Sequence, residues 1–376
     1  MSRGIELKLS TKTRVIPLTV ALAGSLALAA CGASNESSSS SSSGGAGSAA
    51  QLSGTLNGAG SSAQQAAMQA WASGYDKLQP NVTVNYDPVG SGGGRDQFVA
   101  GGIDFAGSDA ALTGTQLSGA QQRCGSAGLF ELPDYISAIA VVYNLPGVKN
   151  VQLSPDTLAK IFTGQIKTWN DPAIAADNPG KTLPSTAVTP VHRADNSGTT
   201  ANFTDYLNKA AGDVWTTPSS GDWPAGKPGE AANQTSGMVS AVKAGEGAIG
   251  YADESQAAGL GVAKVKVGSS WVAPSSKAAA ALVSSSPTVA GRSANDLAIQ
   301  LNRTTTSASE YPVVLVSYHI GCLQPKDAAK GALLKGFMNY VVSSDGQQAA
   351  AKAAGSAPIS DAQRAKSQKV VDAIKG

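Results

Sequence analysis

From Leu52 onward, short strands alternate with amphipathic helices, and a turn rich in glycine and serine separates each strand from the next helix. This alternation is typical of α/β proteins. The first helix, for example, carries Met68, Trp71 and Tyr75 at helical spacing, which indicates one buried face. The predicted elements are a strand at 55–56, a helix at 63–78, a strand at 82–86, a helix that continues through Phe98 and a strand at 103–106. The sequence therefore predicts an α/β fold.

The length of the chain and two long apolar segments predict two domains. Roughly 320 residues follow the polar N-terminal stretch, which is more than one hydrophobic core usually holds. Long strands are predicted at 136–143 and 312–318, and we place the chain crossings just after the first and just before the second. Helices between 326 and 375 should pack back onto the first domain. The resulting lobes are residues 51–144 together with 312–376, and an inserted lobe of residues 145–311.

The N-terminus has the layout of a secretory signal. Four basic residues precede an apolar run at 15–30, which is shorter than the roughly 20 residues of a spanning helix. Leu28-Ala29-Ala30-Cys31 resembles the lipobox of bacterial lipoproteins, so we expect a lipoprotein signal peptide at 1–30 and lipidation of Cys31. An ordinary signal peptide with an incidental cysteine is the alternative. Residues 31–50 are rich in serine and glycine and predict a flexible tether to the membrane.

Charge and cysteine content restrict the partners and the compartment. Without residues 1–30 the chain has 24 basic and 25 acidic residues, a net charge of −1. Dispersed charge of this kind gives no basic stripe for nucleic acid. Once Cys31 is assigned to lipid, Cys124 and Cys322 remain, and an even count outside the cell permits one disulfide. We predict that disulfide, with two separate buried thiols as the alternative.

The first glycine-rich turn also satisfies a loose dinucleotide-binding pattern. Gly58, Gly60 and Ala63 have the fingerprint spacing, and Asp87 ends the next strand. Three facts disfavour a nicotinamide enzyme: the first strand is short and polar, such cofactors are not expected outside the cell, and equivalent turns recur. No glycine-rich stretch continues into the Gly-Lys-Ser/Thr of a P-loop. No cofactor is therefore expected.

Taken together, the glycine- and serine-rich turns indicate an anion-binding site, which we call the anion cradle. A helix N-terminus presents unpaired backbone N–H groups and a partial positive charge, and Ser or Thr adds a hydroxyl donor. Ser62, Ser91 and Ser197-Gly198-Thr199 all lie at predicted helix starts. For any one serine alone, a plain N-cap is the commoner use of Ser before a helix. Only convergence of the turns on one point would make them a binding site.

Several segments resemble, in order and spacing, the motifs of the PstS-type phosphate-binding proteins. The resemblance implies a type II periplasmic-binding-protein fold: two lobes, each with a mixed β-sheet flanked by helices, which close on phosphate held in the cleft between them. It also implies a monomer outside the cell that delivers phosphate to the permease subunits of an ABC importer. The segments are 58–62, 89–93, 104–109 and 193–200, with further likeness at 161–171 and 247–251.

Carried over residue by residue, the resemblance implies a set of phosphate contacts divided between the lobes. Asp195 should pair with Arg193 and orient it. Ala63, His192 and Asn196 depart from the residues frequent in the family, but none of these departures removes a ligand group. The implied contacts are Ser62, the backbone of Ala63, Ser91 and Asp109 from one lobe, and Arg193, Ser197, Gly198 and Thr199 from the other.

Asp109 would give the site its selectivity. Phosphate near neutral pH keeps at least one proton, whereas sulfate has none. An ionised carboxylate can only accept hydrogen bonds, so Asp109 would accept one from the phosphate proton. With sulfate it would face an oxygen that carries no proton, and the two unpaired acceptors would cost several kcal/mol of binding free energy. Without the resemblance, Asp109 could equally cap a turn or a helix.

Other functions remain as alternatives. Another oxyanion could be the ligand, and arsenate, which is also protonated, should compete in part. An extracellular phosphatase is disfavoured because His192 and His319 lie far apart, and the chain has no HExxH, no GxSxG and no acidic cluster with metal-ligand spacing. We therefore expect no enzyme activity and no metal site. A phosphate sensor or adhesin on the cell surface is a third possibility.

Overall fold

The computed structural model describes residues 51–376. The predicted signal peptide, the lipidation of Cys31 and the tether fall on residues 1–50 and lie outside the described residues. Within 51–376, no helix is long and apolar enough to cross a membrane.

Eleven α-helices and twelve β-strands are present in the described part of the chain, with short 3-10 turns at Gly125–Ala127 and Glu254–Gln256. The strands are β1 (Gly54–Gly60), β2 (Val82–Asp87), β3 (Phe105–Ser108), β4 (Leu129–Tyr143), β5 (Gln152–Leu153), β6 (Thr189–Arg193), β7 (Glu230–Ala232), β8 (Ala248–Asp253), β9 (Gly261–Val262), β10 (Lys264–Val267), β11 (Ser270–Val272) and β12 (Val314–Cys322). The helices are α1 (Gln65–Leu78), α2 (Ser91–Ala100), α3 (Gly114–Cys124), α4 (Pro155–Phe162), α5 (Pro172–Asp177), α6 (Gly198–Ala210), α7 (Gln234–Ala244), α8 (Ser276–Ser285), α9 (Ala328–Val342), α10 (Ser344–Ala354) and α11 (Asp361–Ala373).

One curled mixed sheet of nine strands organises the fold. Its order is β2-β1-β3-β12-β4-β8-β6-β7, with β9 also paired to β4. A separate sheet contains β11, β10 and β5. We call β2, β1, β3 and β12 the first sheet half, and β8, β6 and β7 the second sheet half.

Strand β4 connects the two halves. All of its residues are buried, so both faces of this strand are covered by other parts of the protein. It pairs antiparallel with β12 from Leu129 to Ala138, and with β8 from Ile139 to Tyr143. The chain therefore passes from one sheet half to the other within a single strand. The fold is the two-lobed mixed α/β architecture of the type II periplasmic-binding proteins.

Local sequence accounts for many of the element boundaries. The side chain of Ser154 accepts a hydrogen bond from the N–H of Thr157, and Pro155 follows at the first helical position, so α4 begins there. Ser197 caps α6 in the same way by accepting from the N–H of Thr200. The predicted strands and helices are present, with ends that differ by a few residues. The long strand predicted at 136–143 begins earlier, at Leu129.

The predicted disulfide is confirmed. Cys124, the last residue of α3, is bonded to Cys322, the last residue of β12, with their Cα atoms 5.1 Å apart. The two cysteines are 198 residues apart in the sequence. The bond therefore ties the end of helix α3, which follows β3, to the C-terminal strand of the first sheet half.

Candidate oxyanion-binding site

Turns from both sheet halves meet in one buried polar cluster. The first sheet half contributes the turn after β1, the start of α2 and the turn after β3, because β1 and β3 are parallel and end at the same edge. The second contributes the turn between β6 and α6. All eight residues of the predicted contact set lie in or directly beside this cluster, and all eight are buried.

The turn after β1 places Ser62 between the two halves. Its Oγ accepts hydrogen bonds from Nη2 of Arg193 at 3.1 Å and from the N–H of Thr235 at 3.1 Å. It also lies 3.0 Å from Oγ1 of Thr235. The N–H of Ala63 donates to Oγ of Ser61 at 3.1 Å, so Ser61 orders this turn just before α1 begins.

Asp109 lies at the centre of the cluster and is 3% exposed. Oγ1 of Thr199 donates to its Oδ2 at 3.2 Å, and Oγ of Ser317 donates to its Oδ1. Its N–H donates to Oγ of Ser91 at 3.1 Å. Burial raises the pKa of this carboxyl, while hydrogen bonds from Ser317, Ser61 and Thr199 and the charge of Arg193 oppose the increase.

Arg193 is held by Asp195, two residues further on. Nε of Arg193 donates to Oδ1 of Asp195 at 2.8 Å, and Nη2 donates to Oδ2, which makes a two-pronged ion pair. The N–H of Gln234 also donates to Oδ1 of Asp195, at 2.9 Å. Burial alone would raise the pKa of Asp195, but the hydrogen bonds and charge of Arg193 lower it. The guanidinium is therefore fixed in direction, with its charge largely balanced locally.

The start of α6 closes the cluster from the other side. A Cβ at Gly198 would lie 2.6 Å from both Cβ of Asp109 and Oγ of Ser91, so only glycine fits there without displacement. The first turn of a helix has unpaired N–H groups and a partial positive charge. This end of α6 therefore adds a positive pole beside the Asp109 carboxylate.

Sequence reasoning missed three residues that complete the cluster: Ser61, Thr235 and Ser317. A signal existed for Ser61, which is adjacent to Ser62, and for Thr235, which lies at the start of a helix. Ser317 lies inside β12, and nothing in the local pattern marks it. Its contact with Asp109 spans 208 residues of sequence.

The cluster combines hydroxyl donors, a helix N-terminus, a fixed guanidinium and one buried carboxylate. Donors of this kind stabilise an anion. The carboxylate could bind only a ligand that carries a hydrogen, because an ionised carboxylate has no donor. The chemistry is therefore that of a receptor for a protonated oxyanion.

The fold and this cluster define a protein of the PBP superfamily, and residues 45–345 match the PBP superfamily domain model. The chain is 34% identical over 362 residues to phosphate-binding protein PstS 3 of Mycobacterium leprae, covering 94% of this chain and 96% of that relative. It is 35% identical over 362 residues to PstS2 of Mycobacterium bovis, with the same coverage of both chains. The chain belongs to the PstS family of phosphate-binding proteins.

A solved structure has the same fold. It is that of a high-affinity periplasmic phosphate-binding protein bound with phosphate, with a TM-score of 0.67 and 24% identity. The similarity covers 84% of this chain and 93% of the other.

Proposed function

We propose that this chain captures inorganic phosphate outside the cell and delivers it to the permease of an ABC importer. The observation that carries the proposal is the environment of Asp109, a buried carboxylate that faces hydroxyl donors and the start of a helix. The phosphate-binding residues in this proposal are Ser62, Ala63, Ser91, Asp109, Arg193, Ser197, Gly198 and Thr199.

The roles follow from the chemistry of each group. Hydroxyls rotate, so Ser62, Ser91 and Thr199 can turn from their present partners and donate to phosphate oxygens. The fixed fork of Arg193 suits two oxygens of one anion. Asp109 accepts the phosphate proton, and this contact excludes sulfate, which has no proton to offer.

The ligand set supports binding between two lobes. In the proposed division, residues 51–144 with 312–376 form one lobe and residues 145–311 form the other. Each lobe supplies four of the eight residues, so phosphate completes its shell only when both lobes surround it. Binding energy then favours the closed arrangement of the lobes.

The cellular setting of the proposal comes from the sequence and the relatives. A lipid on Cys31 would anchor the chain as a monomer to the outer face of the cell membrane, next to the permease. The relatives are named as binding proteins, which supports a function in capture without catalysis.

The test is phosphate uptake by cells that lack the gene. Uptake at low phosphate should be lost, be restored by the wild-type gene, and not be restored by an Arg193→Ala variant that is exported in equal amount. Normal uptake in the deletion strain would contradict delivery to an importer and would favour a surface sensor or adhesin. Release of phosphate from a generic phosphoester by the purified protein would favour a phosphatase.

A further inference from the structure

Two segments from opposite sheet halves interlock beside the proposed phosphate site. One is the glycine-rich start of α2, which follows β2, and the other is the turn after β6. Five strands separate β2 from β6 in the sheet order, so contact between these segments bridges the cleft. The N–H of Gly92 donates to the carbonyl oxygen of Asn196 at 3.0 Å, and Nη2 of Arg95 donates to Oδ1 of Asn196 at 3.3 Å.

The glycines at this contact make room for the opposite half. A Cβ at Gly92 would lie 2.5 Å from Cβ of Asn196, and one at Gly90 would lie 2.5 Å from Oδ2 of Asp195. Gly93, the next residue of the same helix, is different. Its Cβ would meet only Val89 of its own turn, at 3.1 Å. The position of the glycine therefore decides whether a side chain would obstruct the contact across the cleft.

Arg95 brings an unusual charge to the same contact. Its guanidinium is buried, and its partners are Oγ of Ser108 at 2.7 Å, Oε1 of Gln116 at 2.7 Å and Asn196. Within the described residues, no carboxylate lies within salt-bridge distance of it. A buried cation with neutral partners is stabilised strongly by each hydrogen bond it makes. The bond to Asn196 is the one that depends on the opposite half.

Asn196 is not required by its own backbone. Among residues 51–376, the non-glycine residues with positive φ are Asn150 and Gln234, so the turn at 196 places no demand for asparagine or glycine. Its side chain instead points into the contact with Arg95, Gly92 and Gly221. A Cβ at Gly221 would lie 2.9 Å from Cγ of Asn196. The residue type is thus explained by the contacts with Arg95 and Gly92 across the cleft, together with the close packing against Gly221 of its own half.

We propose that Arg95, Asn196 and the glycines at 90 and 92 form a latch across the cleft that slows the release of bound phosphate. The inference rests on the proposed function and deepens it, because none of these four residues belongs to the proposed phosphate shell. The latch forms only when the two halves meet. It therefore stabilises the closed arrangement, and its loss should act on dissociation more than on association.

The experiment compares Gly92→Ala with Gly93→Ala in the full chain. Both variants add one methyl group to the same turn of α2, so any gain in helix propensity is shared. Phosphate association and dissociation are followed by stopped-flow tryptophan fluorescence. Gly92→Ala should raise the dissociation rate constant by about 100-fold, because the methyl group prevents close approach, and Gly93→Ala should leave it within about twofold.

Asn196→Ala is the second variant, and it removes atoms instead of adding them. It deletes the bond from Arg95 and keeps the backbone bond from Gly92, so dissociation should rise about 10-fold while association changes by less than about twofold. If the wild type binds phosphate and both Gly92→Ala and Asn196→Ala release it at the wild-type rate, the latch is overturned. Equal acceleration by Gly92→Ala and Gly93→Ala also overturns it. A wild-type chain that binds no phosphate overturns the proposed function itself, which is a separate result.

Discussion

Asp109→Asn changes one acceptor oxygen to an NH2 donor at the centre of the cluster, with almost no change in side-chain volume. In the structure, Oδ1 of Asp109 accepts from Ser317 and Oδ2 accepts from Thr199. The amide oxygen of asparagine can keep one of these bonds. The other position then presents a donor where the carboxylate would accept the phosphate proton.

The size of the effect follows from that exchange. A hydrogen bond to a charged group contributes about 1.5–3 kcal/mol, and about 1.4 kcal/mol is tenfold in affinity, so phosphate binding should weaken about 10- to 100-fold. Sulfate should bind better, because the variant has lost a negative charge and gained a donor. The preference for phosphate over sulfate should therefore fall by at least about 10-fold.

The assay is calorimetric titration of wild type and Asp109→Asn with each anion at neutral pH. Asp253→Asn is the matched control, since it makes the same change at another fully buried carboxylate, whose partners are Tyr135 and Ser255. The control should keep the wild-type preference. If Asp109→Asn binds phosphate as tightly as wild type and still rejects sulfate, the role given to Asp109 is wrong.

Three further changes test the surroundings of the site and the fold. Ser317→Ala removes a hydrogen-bond donor from the Asp109 carboxylate, so the pKa of Asp109 should rise further. As the pH is lowered, phosphate affinity should then begin to fall at a higher pH than in wild type, which phosphate titrations between pH 5 and 8 measure. Ser317→Thr keeps the hydroxyl and should restore the wild-type profile. Burial raises the pKa of Asp253 from 3.8 to about 6. Between pH 3.8 and about 6 the folded state therefore binds more protons than the unfolded state, and the stability gained from this proton is lost as the pH rises through 6. Relative to Asp253→Asn, wild type should thus gain about 2 kcal/mol of unfolding free energy between pH 7.5 and 4.5, and a constant difference would contradict this. Replacing Cys124 and Cys322 by serine opens a loop of 198 residues and should lower the unfolding free energy by up to about 5 kcal/mol in urea, with phosphate affinity within twofold of wild type.

The sequence predicts most helices and strands because their hydrophobic periodicity is a local property. The prediction fails where a strand contains buried charged residues whose partners lie far away in the sequence. The first half of β4 was not predicted because it contains Glu131, Pro133 and Asp134, which are unusual in a buried strand. In the structure, Glu131 pairs with Arg292, and Asp134 is bonded to His319. These partners are 161 and 185 residues away, so no local pattern reveals them.

The sequence likewise predicts some features of the candidate site and not others. Serines at helix starts indicate an anion cradle, and the resemblance to a family gives their order. Neither shows which hydroxyls meet. Ser62 and Thr235 are 173 residues apart, and Asp109 and Ser317 are 208 residues apart. Such contacts depend on how the sheet curls, which single-sequence periodicity does not determine.

A crystal structure of the protein grown with phosphate would show whether the cluster around Asp109 binds this anion. We predict one phosphate in the cluster, with one oxygen about 3 Å or less from a carboxylate oxygen of Asp109 and others within hydrogen-bond distance of Arg193 and the start of α6. Phosphate bound elsewhere on the protein, or no anion in the cluster at saturating phosphate, would contradict it.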